Sequence, residues 1–542
     1  MRPHKEMQRG AVYCLIIFLC WTGAAAAAVA PSDWQRQAVD WRMPGGTRIK
    51  NVYYPPHKPL PLSAERTNRP EHQRRKKVEV SREISTGTAL TEKSVENLTI
   101  NVIDSPPLNG FVPWVAVTLT NARSTDDDFY AQPANSVVGS YLPADPQTGY
   151  AIGIYDTGAG VSLMGYDAAT RTGLTNTYIT DSVVTLGGVT GTIEAQVSYP
   201  LGLFVEGLGA IDPDSLLLDT SGMVGETNVS IAAGYEPQPE APDLPTAIGA
   251  PFSVFFITDF RNDHPITIVR DANEYTCPDI HLYSYGSTDP NIPEYANYFP
   301  LEIRPAGSVV AYFPTIDLET MEFYPFYPSG IFGNSVQSQF FVHSVNLGEG
   351  AHSLIDKDSF IFDTGAQVSV ISSSIASSLG LSTPEFWVEI VGVNGQSVMK
   401  PGYYVDSLEI PAIDEWLSFS DIPVVMLDVT SAEGLTADGI IGMNLFVGLN
   451  FALRGGAFDL DPETPKIEFE FIPVMGDIAP PGGDGKVDFL DLAAFVEAWL
   501  SDPFSLHWNQ QADMAPVAQP DNLVNLLDFA VLAQHWLEGT TP

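Results

Sequence analysis

The chain is predicted to be mainly β and bilobal, with a small helical unit at its C-terminal end. Three observations lead there. Two apolar, strand-like runs each deliver one carboxylate into the same turn, Asp156-Thr157-Gly158-Ala159 and Asp363-Thr364-Gly365-Ala366. A second apolar run follows each turn, Val161 to Met164 and Val368 to Ile371. Near the C-terminal end a loop-and-helix pattern returns after 37 residues, from Val487 to Val524.

The chemistry concentrates at the two turns. Glycine permits a tight backbone, and the threonine hydroxyls, Thr157 and Thr364, can lock the turn. A carboxylate set between two buried strands is costly unless it is hydrogen-bonded or has a chemical task. Two Asp-Thr-Gly-Ala turns resemble the aspartic peptidases, the pepsin-like and retropepsin-like enzymes. A hydrophobic pair followed by glycine later in each lobe belongs to the same resemblance. Gly439-Ile440-Ile441-Gly442 matches that element in the second lobe, and Ala247-Ile248-Gly249 is the weaker candidate in the first. The resemblance implies a double-ψ β-barrel in each lobe, with Asp156 and Asp363 jointly activating a water to hydrolyse a polypeptide. Thr157, Gly158, Thr364, Gly365 and Gly442 then support the turns without doing chemistry. Two carboxylates close together hold one proton over a wide pH range, as the pepsin dyad does. The rival reading is a secreted peptide-binding protein with a degenerate peptidase fold. A further alternative pairs second-lobe units between molecules.

The elements follow in order. Residues 1–30, with Arg2, Lys5 and Arg9 before the apolar stretch Ala11 to Trp21, read as a cleaved signal peptide and imply a secreted or periplasmic protein. Residues 31–100 are polar and basic, and are expected outside any core as a leader or pro-segment. The first lobe spans 101–270, with a strand over Phe111 to Leu119 and a Gly-tipped hairpin over Thr185 to Thr192 as a flap. Residues 271–335 are expected as inter-lobe strands and loops. The second lobe spans 336–473, with a strand over Phe340 to Leu347, a short helix over Ser373 to Leu379 and an Asn394-Gly395 hairpin as second flap. The strand-then-Asp order in both halves suggests internal duplication.

Residues 474–542 carry the C-terminal repeat. Gly483-Asp484-Gly485-Lys486-Val487-Asp488-Phe489-Leu490-Asp491 and its counterpart Asp521 to Asp528 have the oxygen-rich spacing of an EF-hand-like loop, and resemble dockerin domains. That resemblance implies Ca2+ held by Asp484, Asp488 and Asp491, and by Asp521, Asn525 and Asp528, with Asp477 and Asp513 as further ligands. It also implies a cohesin-like partner. The competing reading makes these acids helix caps.

Charge excludes other partners. The formal charge is −40, and residues 101–542 hold only 10 Lys and Arg against 57 Asp and Glu. Such a body repels nucleic acid and anionic membrane surfaces. After loss of the N-terminal segment only Cys277 remains, so no intramolecular disulfide is expected. No cofactor is expected for catalysis. Neither His-Glu-x-x-His nor Gly-x-Ser-x-Gly occurs, which removes zincin and serine-hydrolase chemistry.

Overall fold

The structure is a computed structural model. It describes residues 30–536 apart from 44–46, 57–73, 86–92, 123–131, 143–144, 189–190, 235, 237–243, 285–286, 306–314, 317–322, 325–337, 393–395, 413–415, 430–435, 457–464, 473–475, 480–486 and 516–520. The signal-peptide reading, Asp484 and both flap tips lie outside the described residues.

Strands dominate, and each half repeats one pairing scheme around its acid. In the second lobe Phe360–Asp363 runs antiparallel to Ser338–Val342 and parallel to Gly439–Gly442, which sets Asp363 opposite Gly442. Val370–Ile371 then runs antiparallel to Gly439–Gly442 and parallel to Leu417–Met426. In the first lobe Ala151–Asp156 runs antiparallel to Trp114–Thr120 and parallel to Ala247–Gly249, which sets Asp156 opposite Gly249. Leu163–Met164 pairs antiparallel with Ala247–Gly249 and parallel with Ala232–Ala233. The weaker glycine candidate therefore occupies the position equivalent to Gly442. Short helices Tyr166–Arg171 and Ser373–Ser378 follow the turns, and glycines at φ +76°, Gly173 and Gly380, follow both.

The apolar runs form these strands because every residue of Phe360–Asp363 is buried, as are five of the six in Ala151–Asp156. A strand covered on both faces reads as continuous rather than alternating hydrophobicity. Hairpins stand at both positions expected for flaps: Ile179–Gly188 pairs with Gly191–Ser198, and Phe386–Val391 with Ser397–Ile410.

An antiparallel sheet bridges the lobes. Asn273–Ser284, Phe256–Arg270, Leu449–Arg454, Lys466–Phe471 and Asn297–Pro305 are neighbours in that order, and Asn297–Pro305 continues onto Ser338–Val342. Its apolar face is aromatic. Phe260 stacks on Phe451 with centroids 4.5 Å apart, and Phe362, beside the second acid, meets Phe446 and Phe451 edge-on. Edge-to-face pairs of this kind add to simple area burial.

Residues 31–100 differ from the expectation of a segment outside the core. Gln35–Met43 and Thr47–Tyr54 form a hairpin, and Thr47–Tyr54 pairs antiparallel with Phe386–Val391 of the second lobe. Trp41, Met43, Ile49 and Val52 are buried with Phe341, Ile361 and Val368 in one cluster. Their apolar positions are interleaved with Arg42, Arg48, Lys50 and Asn51, the two-residue period of half-buried strands, which low overall hydrophobicity conceals. Further on, Lys93–Asp104 pairs with Arg74–Ser85 and runs parallel to Leu417–Met426.

The C-terminal unit has its own small core of Ile478, Val487, Phe495, Met514, Val524 and Leu532 under helices Phe489–Glu497 and Leu526–Gln534. No helix among the described residues is long and apolar enough to cross a membrane.

Candidate active site

The two Asp-Thr-Gly turns meet at the lobe interface and are tied to each other through their threonines. Thr157 N–H donates to Thr364 Oγ1 at 3.2 Å, and Thr364 N–H donates to Thr157 Oγ1 at 3.0 Å. Each hydroxyl then donates across the interface, Thr157 Oγ1 to Phe362 O at 2.9 Å and Thr364 Oγ1 to Tyr155 O at 2.5 Å. Both threonines are fully buried, so these four bonds form where water cannot compete. They fix the position of one lobe's turn against the other's.

Within each turn the carboxylate accepts from its own backbone. Asp156 Oδ1 accepts from Gly158 N at 3.1 Å and Ala159 N at 2.9 Å. Asp363 Oδ1 accepts from Gly365 N at 2.8 Å and Ala366 N at 3.1 Å. The glycines are required by close approach. A Cβ on Gly158 would sit 2.2 Å from the Asp363 carboxyl carbon, and one on Gly365 would sit 2.4 Å from that of Asp156. Each lobe's glycine makes room for the other lobe's acid.

Asp156 and Asp363 are 7% and 1% exposed, and the charge of each bears on the other. Burial raises the pKa of Asp156 above the ordinary carboxylate value. Burial, joined by the charge of Asp156, holds that of Asp363 well above it. Asp363 Oδ2 is buried and has no hydrogen-bond partner. Two buried, neighbouring carboxyls cannot both ionise cheaply, so the arrangement favours one proton on the pair.

A further ring of residues holds the turns, with roles not assigned from the motif. Ser162 and Ser369 both lie six positions past the acid; each Oγ accepts from the facing glycine, Gly249 N at 3.1 Å and Gly442 N at 3.0 Å. That equal offset was the available signal. Gln339 Nε2 donates to Gly158 O at 2.8 Å, which ties a second-lobe strand to the first-lobe turn. Gln367 accepts at Oε1 from Arg42 N at 2.7 Å and donates from Nε2 to Gly110 O at 2.8 Å. These partners lie 325 and 257 positions away, so no local pattern announces them.

The acids of the C-terminal repeat have other partners. Asp491 Oδ1 accepts from Ile478 N and Ala479 N, and its Oδ2 accepts from Asp488 N, all at 2.7–2.8 Å. Asp528 does the same with Met514 N, Ala515 N and Asn525 N, at 2.6–2.7 Å. Asp488 and Asn525 are the N-caps, accepting from Leu490 N and Leu527 N. These are capping boxes. Asp513 Oδ2 accepts from Asn522 N, and Asp521 lies within hydrogen-bond reach of Asn525 Nδ2. Among the described residues no three His, Cys, Asp or Glu side chains gather as a metal site. Asp513 Oδ1 is buried without a hydrogen-bond partner, and the loop residues 480–486 and 516–520 lie outside the described residues.

The profile of the aspartyl protease family matches residues 356–445, the stretch that holds Asp363 and Gly442. No curated protein matches the chain. Among solved structures, basic 7S globulin from soybean is similar at 10% identity and a TM-score of 0.26, covering 70% of this chain and 89% of its own. Conglutin gamma, a basic 7S globulin from lupine seeds, is similar at 12% identity and a TM-score of 0.24, covering 69% and 88%.

Proposed function

We propose that the chain is an aspartic-type endopeptidase that hydrolyses peptide bonds with Asp156 and Asp363 as one catalytic pair. The observation that carries this reading is the cross-lobe lock. Four hydrogen bonds through Thr157 and Thr364 hold together the turns that carry two buried carboxyls, each fixed by two backbone N–H groups.

The chemistry follows from that arrangement. One member of the pair is ionised and takes a proton from a water that attacks the scissile carbonyl. The protonated member donates to the carbonyl oxygen as it gains charge. The resulting tetrahedral species collapses when a proton passes to the departing amine, and the pair exchanges roles. Preorganisation by the turns means no reorientation is needed at that moment. The hairpins Ile179–Gly188/Gly191–Ser198 and Phe386–Val391/Ser397–Ile410 supply flaps over an extended substrate. Export by residues 1–30 and attachment through the C-terminal helical unit belong to the same proposal. No step of it uses calcium.

The test is cleavage of an unfolded protein by the full chain across acid to neutral pH, with Asp156→Asn and Asp363→Asn measured separately. Loss of cleavage in both supports an intramolecular pair. Activity that survives Asp156→Asn but not Asp363→Asn points to second lobes pairing between molecules. Wild-type protein that binds but never cleaves a polypeptide favours the peptide-binding protein.

A further inference from the structure

A second site is built around Arg42. The N-terminal hairpin and the first lobe enclose a cavity of about 970 Å³, which no residue of either Asp-Thr-Gly turn lines. Four arginines reach it in a chain with only 26 Lys and Arg in total: Arg42, Arg48, Arg171 and Arg270. Three of them are engaged. Arg48 faces Asp40 at 3.6 Å, and Arg171 is bonded to Asp271 at 2.9 Å. Arg270 donates to the carbonyl oxygens of Tyr150 and Thr148, with its guanidinium 3.8 Å from the Tyr150 ring centroid.

Arg42 differs. Its Nη1 is buried and has no acceptor, which is costly for a charged donor. Its guanidinium lies 5.8 Å from the ring centroid of Trp114, which is held edge-on by Tyr275. Burial and the neighbouring Arg48 lower the Arg42 pKa to about 10, so the group stays a cation at neutral pH. The backbone of Arg42 cannot swing away, because Gln367 bonds both its N–H and its carbonyl. A guanidinium with a buried, unpartnered Nη1 on an anchored backbone, with Asp40 as its neighbouring acid, is a receptor for a planar anion that can accept two parallel bonds.

The rest of the cavity selects what carries that anion. Its volume is in the range of sites for organic ligands and far exceeds an inorganic ion. Trp114, Phe111 and Val112 give it apolar wall, while Asp167 and Glu274 line it without an ion pair to any described residue. Apolar wall, a carboxylate receptor and acceptors for N–H groups together match the end of a peptide chain.

We propose that this cavity binds the C-terminal end of a peptide, with its free carboxylate held by Arg42. Binding stands apart from the proposed catalysis, although every product of peptide hydrolysis on the N-terminal side of the cut carries such a carboxylate. The test is calorimetric titration of the full-length Asp156→Asn protein, in which no peptide is consumed by the proposed pair. Three probes are compared: N-acetylated tetra-alanine as the free acid, the same peptide as its C-terminal amide, and inorganic phosphate. The free acid binds about tenfold or more tightly than the amide, Arg42→Gln removes that preference, and Arg42→Lys restores part of it. Equal binding of acid and amide overturns the proposal with no need for a variant at Arg42. So does an acid preference that persists in folded Arg42→Gln protein, or binding of phosphate with none of the peptide acid.

Discussion

At the residue scale, the acids, threonines and glycines of the two turns have separate and testable costs. Gly158→Ala places a methyl group against the Asp363 carboxyl, at a distance no relaxed structure tolerates. Cleavage should fall at least a hundredfold, roughly the loss expected when reacting groups are displaced by about 1 Å. Thr364→Val removes a hydroxyl that both donates to Tyr155 O and accepts from Thr157 N. It should cost about 1–3 kcal/mol in denaturant unfolding, because buried partners are left unpaired. Asp363→Asn should do the opposite to stability. The folded pKa of Asp363 is raised, so its ionisation opposes folding as pH rises above the ordinary carboxylate value. The neutral amide keeps an oxygen for Gly365 N and Ala366 N and offers a donor to Asp156. The variant should therefore melt at higher temperature than wild type near pH 7 while losing activity. Calorimetry at pH 4 and pH 7 checks the sign, and the gain should be larger at pH 7.

At the element scale, the N-terminal hairpin belongs to the body of the second lobe. Removing residues 31–54 uncovers Phe341, Ile361 and Val368 and exposes the edge of Phe386–Val391. Four buried side chains leave with it, each contributing roughly 1.5–3 kcal/mol. The shortened chain should lose on the order of 5 kcal/mol or more, read as a fall in denaturation midpoint, and should gain no activity. Higher activity with unchanged stability would restore the idea of a removable inhibitory leader. The elements around each acid were legible in the residues because both strands are buried on both faces and close on an Asp-Thr-Gly turn. The flap hairpins were legible from glycine at their tips. The N-terminal strands were not, since Trp41, Met43, Ile49 and Val52 sit among charged neighbours and find their partners over 280 positions away. The repeat at the C-terminal end was legible as a repeat. The capping bonds of Asp491 and Asp528 were not, because a helix cap and a calcium loop both call for an acid before an apolar helix.

At the scale of the whole molecule, the two halves are one pairing scheme used twice and joined by an antiparallel sheet that neither half forms alone. That sheet depends on pairings such as Phe260 with Phe451, whose separation hides them from any local pattern. Burial also gives the molecule a pH dependence beyond the catalytic pair. Glu226, 2% exposed with Oε2 unpartnered, has its pKa pushed up to about 8 by burial alone. The folded state then holds a proton that the unfolded chain releases above about pH 4.5, so stability falls as pH rises from there to about 8. Glu226→Gln should flatten that slope and raise the melting temperature near pH 8, with no effect on cleavage. An unchanged slope would place the dependence elsewhere.

The most direct test of the central claim, that one proton-sharing pair spans the two lobes, is the pH profile of polypeptide cleavage by wild type, Asp156→Asn and Asp363→Asn. The account predicts cleavage in the wild type only, lost at high pH as the shared proton leaves. Cleavage by the Asp156→Asn protein at anything near the wild-type rate would contradict it.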